Sequence, residues 1–199
     1  MIVVFDIGNV LLRWDPRNLY RNVFDDEARM ERFLATALGR DFILQTDVEP
    51  DFAAAIEERA RAFPEFADEV RLYDSRWVET LGGPIEENVA LLRRLRAAGQ
   101  PVHALSNYST AKFALSETLH GFLQEFDERV VSGHVGVAKP DPRIYEILIE
   151  RAGRRPHELL FIDDTQANVR AAEALGMGAI HYRPGVDLES ELRARDVTF

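Results

Sequence analysis

The chain has 199 residues, 46% of them hydrophobic, enough to bury one sizeable core and too few for two large domains. A formal net charge of -10 with no Lys/Arg-rich block disfavours nucleic acid as a partner, and the absence of cysteine excludes disulfides, thiolate metal sites and thiol nucleophiles. No apolar stretch approaches the length of a membrane span, and the opening apolar run stops at Asp6 without a basic lead-in, so a cytoplasmic protein without a membrane partner is expected.

Residues 1–6 read as a short buried strand, being β-branched and continuous rather than alternating. Residues 15–83 carry helical periodicity without strand signals, as in Glu31 to Leu38 and Phe52 to Ala60. They read as a helical insertion, with Gly82-Gly83-Pro84 as its return hinge or as a plain interhelical turn. From there a helix over 85–98, with Val89, Leu92 and Leu95 on one face and Gly99 as its stop, leads into a strand at 101–105. A helix near 110–120, a strand at Val130-Val131, a helix over 141–152, a strand at 159–162, a helix over 166–175 and a strand over 178–182 follow. This alternation predicts an α/β fold, a Rossmann-like parallel sheet with helices on both faces.

In such an open sheet ligands bind outside the carboxyl ends of the strands. Asp6, Ser106 and Asp163 each close an apolar run, so side chains far apart in sequence are expected to meet along one edge. Asp6, Asp163 and Asp164 would gather up to three negative charges there. At about 4 Å and an effective dielectric near 20, each like-charge contact costs about 4 kcal/mol, so a cation is expected. Oxygen-only ligands favour a hard ion such as Mg²⁺. Several of these residues also fit simpler roles: Asp6 as a turn cap, Ser106-Asn107 and Asp163-Asp164 as N-caps, Lys139 as a surface lysine. The five histidines show no ligand spacing.

Four clusters, FDIGNVLLRWDP at 5–16, ALSNYS at 104–109, VSGHVGVAKPDPRIYE at 131–146 and FIDDTQANVRAAEALGM at 161–177, together resemble the haloacid dehalogenase-like hydrolase superfamily, and the first looks like its DxGNV branch of sugar-phosphate phosphatases. The resemblance implies a core of 1–14 and 84–199 with 15–83 as an inserted helical cap. It also implies a Mg²⁺-dependent phosphomonoester hydrolase acting on a small phosphorylated metabolite. Asp6 would be the nucleophile that carries the phosphoryl group. Ser106 and Asn107 would hold phosphoryl oxygens, and Lys139 would bind them and balance charge. The metal would sit on the Asp6 carboxylate, the Gly8 carbonyl and Asp164, with Asp163 direct or through water. Asn168, one helical turn beyond Asp164, reads either as a hydrogen-bond partner of metal-bound water or Ser/Asp neighbours or as a plain helix-surface residue.

The chain departs from that pattern at Gly8, where such phosphatases usually carry a second Asp as general acid. Asp15 is within reach by sequence, although Asp15-Pro16 reads better as a helix start. Two rival readings follow. A 2-haloacid dehalogenase needs no acid at Gly8 but works without metal and lacks the Asp163-Asp164 pair; a non-catalytic binding module would have kept the fold alone. Trp14, Tyr20, Tyr73, Trp77 and Arg13 are candidates for substrate contact, with core packing or solvent exposure as the alternatives. Oligomeric state is not legible.

Overall fold

A computed structural model describes residues 1–199. Seven strands form two sheets: β1 (Ile2–Phe5), β2 (Leu12–Trp14), β3 (Leu81–Pro84), β4 (Val102–Ser106), β5 (Glu128–Val131), β6 (Leu159–Asp163) and β7 (Gly178–His181). The larger is parallel throughout, in the order β5-β4-β1-β6-β7. Successive residues of a strand point to opposite faces, so the central strands are apolar on both. On one face Val3 and Phe5 pack with Val102, Ala104, Leu160 and Ile162; on the other, Ile2 and Val4 meet Leu105, Val130 and Phe161. Full burial of each such side chain stabilises by about 1.5–3 kcal/mol.

The helices that close these faces start and stop where their end residues dictate. Helix Glu86–Ala97 stacks Val89, Leu92 and Leu95 on the first face, and the chain leaves it through Gly99 at a φ of 78°. Helix Pro142–Ala152 covers the second with Ile144, Tyr145 and Leu148; Asp141 caps it by accepting from the Arg143 N–H at 2.9 Å, and Gly153 ends it at a φ of 59°. Every strand and helix read from sequence in 84–182 is present, with ends moved by a residue or two. A short helix, Leu188–Arg193, was not anticipated; it buries Leu188 and Leu192 against the first face.

Between β2 and β3 the chain is helical, with helices Glu27–Ala35, Arg40–Thr46, Phe52–Ala62 and Ala67–Ser75. Tyr20, Phe33 and Phe66 stack edge to face at its centre, with ring centroids 4.6 and 5.3 Å apart. The expectation of no strand in 15–83 is corrected at its end. Leu81–Pro84 pairs antiparallel with Leu12–Trp14 as a two-stranded ribbon. The glycines that read as a loose hinge serve this pairing: a Cβ on Gly82 would stand 2.9 Å from that of Arg13, and Gly83 has a φ of 81°. Entry to and exit from the helical segment therefore run side by side beside the strand ends. No helix is long and apolar enough to cross a membrane.

Candidate active site

Sheet register brings the chemistry together. Phe5 lies opposite both Ala104 and Ile162, so one step further the chain sets Asp6 beside Asp163 and within reach of Ser106. The Asp6 N–H continues the pairing by donating to the Ile162 carbonyl at 2.8 Å. Lys139 arrives from the turn before helix Pro142–Ala152, and all four residues are buried.

Lys139 organises the group. Its Nζ is 2.9 Å from Asp6 Oδ1, 2.7 Å from Asp163 Oδ2 and 2.9 Å from the Leu105 carbonyl oxygen, at 2% exposure. Burial by itself would lower the ammonium, but Asp163 and Asp6 together hold it above its ordinary value. Asp163 is saturated: besides Lys139 it accepts from the Thr165 N–H at 2.7 Å and from the Asn168 amide at 3.0 and 3.1 Å. Asn168 thus binds an Asp neighbour, one of the partners expected for it.

Asp6 is asymmetric. Its Oδ1 takes the Ile7 N–H at 2.7 Å, the Ser106 hydroxyl at 2.9 Å and Lys139, whereas Oδ2 has no donor in the chain. Burial, the main cause, pushes this carboxyl up to about 8, with Asp163 and Asp164 adding to the effect and Lys139 opposing it. A second cation at Oδ2 would return it to the charged, attacking form. The donors for one are present: carboxylate oxygens of Asp6, Asp163 and Asp164 lie within 4.8 Å of one another. Asp164 faces the cleft with only a 3.3 Å bond from Thr165 Oγ1, and its carboxyl is raised by burial and by Asp163. The Gly8 carbonyl accepts no backbone hydrogen bond. Asp6, Gly8 and Asp164 therefore have free oxygens suited to a hard divalent ion, while Asp163 is spent on Lys139 and the turn.

Two sequence expectations change here. Ser106 and Asn107 do not start the next helix, because Ser109 caps it. The Asn107 carboxamide instead accepts from the Lys139 N–H at 2.8 Å and donates to the Lys139 carbonyl at 2.9 Å, clipping the lysine turn to the end of β4. Likewise Thr165 is the cap residue of helix Gln166–Ala174, and Asp163 rather than Asp164 bonds its N–H. Asp15 behaves as a helix start, accepting from the Arg17 N–H at 2.9 Å.

The strand ends open into a cleft of about 1280 Å³ walled on its far side by Leu34, Leu38, Ile43 and Leu44 of the helical segment. Arg13, Arg40 and Arg183 line it as well; Arg13 is exposed and donates to the Pro84 carbonyl at 2.6 Å. Of the aromatic candidates Trp14 lines this cleft, Tyr73 and Trp77 line a smaller cavity of about 100 Å³ beside it, and Tyr20 is core, donating to the Glu69 carbonyl at 3.0 Å. One residue of both cavities was missed: Asp47, at the end of helix Arg40–Thr46. No sequence motif surrounds it.

The family model described as haloacid dehalogenase-like hydrolase matches residues 1–176. The chain belongs to this family of hydrolases. Among its relatives, the sesquiterpene phosphatase astK of Aspergillus oryzae is 26% identical over 196 residues, 96% of this chain and 93% of that one. An (S)-2-haloacid dehalogenase of Pseudomonas fluorescens is 32% identical over 93 residues, 47% of this chain and 41% of that hydrolase. The fold matches a HAD family enzyme from Bacteroides thetaiotaomicron solved with magnesium and inorganic phosphate, at a TM-score of 0.72 and 22% identity over 96% of this chain and 98% of that one.

Proposed function

We propose that this hydrolase is a Mg²⁺-dependent phosphomonoesterase with Asp6 as nucleophile, acting on a small phosphorylated metabolite, with sugar phosphates a candidate class. The observation that carries the reading is the Asp6 carboxylate, one oxygen fixed by Ile7, Ser106 and Lys139 and the other free beside the unsaturated Asp164. A full-length phosphatase relative supports it.

The Asp6 carboxylate attacks phosphorus as the ester P–O bond breaks and the alcohol leaves, and water later removes the phosphoryl group from the carboxylate. Asp6, the Gly8 carbonyl and Asp164 would hold Mg²⁺, which when bound neutralises carboxylate and phosphoryl charge. Lys139 offsets the charge that remains, and Asn107 keeps its turn in place. Ser106 orients Asp6 and lies where a phosphoryl oxygen would arrive. Asp163 and Asn168 position Lys139 rather than meeting the substrate. Residues 15–83 act as a cap over the strand ends, whose apolar wall selects the leaving group and excludes water from the first step.

A screen of sugar, prenyl and other metabolite phosphates, with Mg²⁺ and with chelator, tests this reading. Phosphate release that needs the metal is expected. Halide release from 2-haloacids without metal would favour the dehalogenase reading instead, and no turnover on any substrate would favour a binding module.

A further inference from the structure

An alkyl phosphate leaves as an alkoxide unless something protonates it, and no group packed around Asp6 has a proton to spare. Lys139 is shared between two carboxylates and a carbonyl, Asp163 is saturated, and Asp164 is beside the cation site. Asp15 is held by Arg17 and half exposed. A Cβ added at Gly8 would meet nothing within 4 Å, so the space beside it is open.

Asp47 borders that space. Gly8, Trp14, Ile43, Asp47 and Asn107 line both the main cleft and the small aromatic cavity, so Asp47 sits where the two meet beside the strand ends. No group of the chain donates to its carboxyl, which is part-exposed at the cleft and so available to a ligand. Its backbone, by contrast, is fixed to the sheet. The Ser132 hydroxyl donates to the Asp47 carbonyl at 2.7 Å and accepts from the Tyr108 N–H at 2.8 Å, two residues beyond Ser106. Asp47 therefore keeps its place relative to Asp6 although it belongs to the helical segment.

We propose that Asp47 is the acid–base residue of the reaction, supplied from the helical segment; this rests on the phosphomonoesterase reading. In the first step the Asp6–phosphorus bond forms, the ester P–O bond breaks, and the leaving oxygen takes the Asp47 proton to become the alcohol. In the second, Asp47 accepts a proton from water as the water oxygen bonds to phosphorus and the Asp6–phosphorus bond breaks, which releases phosphate and restores the acid. Burial pushes Asp47 up to about 7, against the opposing pull of Lys139, so both forms are populated near neutrality. The other groups facing it are the Tyr73 and Tyr108 hydroxyls, Lys112 with its partner Asp74, and Arg40 at the cleft.

The test compares p-nitrophenyl phosphate, whose leaving group needs no proton, with glycerol phosphate, whose leaving group does, on the Mg²⁺-loaded protein. Asp47→Asn is expected to lower kcat/KM for glycerol phosphate by about 100-fold or more and for p-nitrophenyl phosphate by less than about 10-fold. The native fall of kcat/KM on glycerol phosphate as pH rises through about 7, where the acid loses its proton, should disappear in the variant. Adding Gly8→Asp to Asp47→Asn should recover part of the alkyl activity, because a Cβ at this position meets no other atom. Asp15→Asn should leave both rates unchanged. If Asp47→Asn does not fold, Asp47→Ser carries the same expectation. Equal losses on the two substrates, or a pH profile that keeps its alkaline fall, would overturn the assignment of Asp47 alone; where the native protein hydrolyses neither ester, the same comparison is made on an aryl and an alkyl phosphate that it does hydrolyse in the wider screen, and hydrolysis of none overturns the phosphatase reading and this one with it.

Discussion

At the strand ends Asp6, Lys139, Asp163 and Asn168 are buried and joined by a closed set of hydrogen bonds, whereas across the cleft the helical segment offers half-exposed ion pairs, an apolar wall and one carboxyl without a partner. The first region is over-determined: apart from Asp6 Oδ2, its polar atoms are bonded to one another around rigid strand ends, which suits a step whose geometry must not vary. The second is held through packing and a few ties to the sheet, such as Ser132 to Asp47. On the proposed reading, fixed chemistry and adjustable selectivity lie on opposite walls of one cleft, and substitutions on the two walls should fail in different ways.

The largest effect is expected at Lys139. Lys139→Ala leaves Asp6 and Asp163 buried without their cation, which should abolish turnover and cost about 3–5 kcal/mol in denaturant unfolding. A loss of activity with unchanged stability would show that the strand-end network is not held together by this residue.

Next comes the contrast between the adjacent acids. Asp163→Asn should destabilise the fold and loosen Lys139, because every oxygen it alters is already bonded. Asp164→Asn should keep the fold and raise the Mg²⁺ concentration needed for half-maximal activity. Thermal unfolding and Mg²⁺ titration measure both, and two variants that behave alike would show that the adjacent acids do not differ in role.

The pH dependence of the metal-free protein sharpens the same point. Asp6 is raised in the folded state from the ordinary aspartate range to about 8, so its proton favours the fold. That contribution is complete below the unfolded value and is lost as pH rises to about 8. The gain in Tm on adding Mg²⁺ should therefore grow between pH 5 and about pH 8. A gain independent of pH would place the ion away from Asp6.

A smaller effect is expected on the far wall. Trp14→Ala should alter relative rates among phosphomonoesters, with little change in Mg²⁺ affinity, because Trp14 lines the cleft. The smallest is at Arg17 and Glu31, a half-exposed pair whose removal should leave the thermal unfolding midpoint nearly unchanged.

Much of the first wall was legible in the amino-acid sequence and little of the second. A buried parallel strand reads as an unbroken apolar run, so the polar residue that ends it announces both the strand end and the site: Asp6, Ser106 and Asp163 stood out for this reason. Which atom each side chain uses did not. Asn107 and Ser106 read as one anion-binding pair, yet Asn107 is taken up by the backbone of Lys139. The β2–β3 ribbon was hidden because glycine and proline at 82–84 read as breakers when they permit close strand approach. Asp47 could not be found at all: its place depends on how helix Arg40–Thr46 docks against Ser132, 85 residues away in the chain.

On the proposed mechanism Asp6 forms the covalent intermediate. Rapid acid quench of the Mg²⁺-loaded protein during turnover of a radiolabelled phosphomonoester, followed by peptide mapping, measures it directly. The label is expected on Asp6 and should be lost in Asp6→Asn, whose fold survives. Label on any other residue, or turnover retained in Asp6→Asn, would contradict the account.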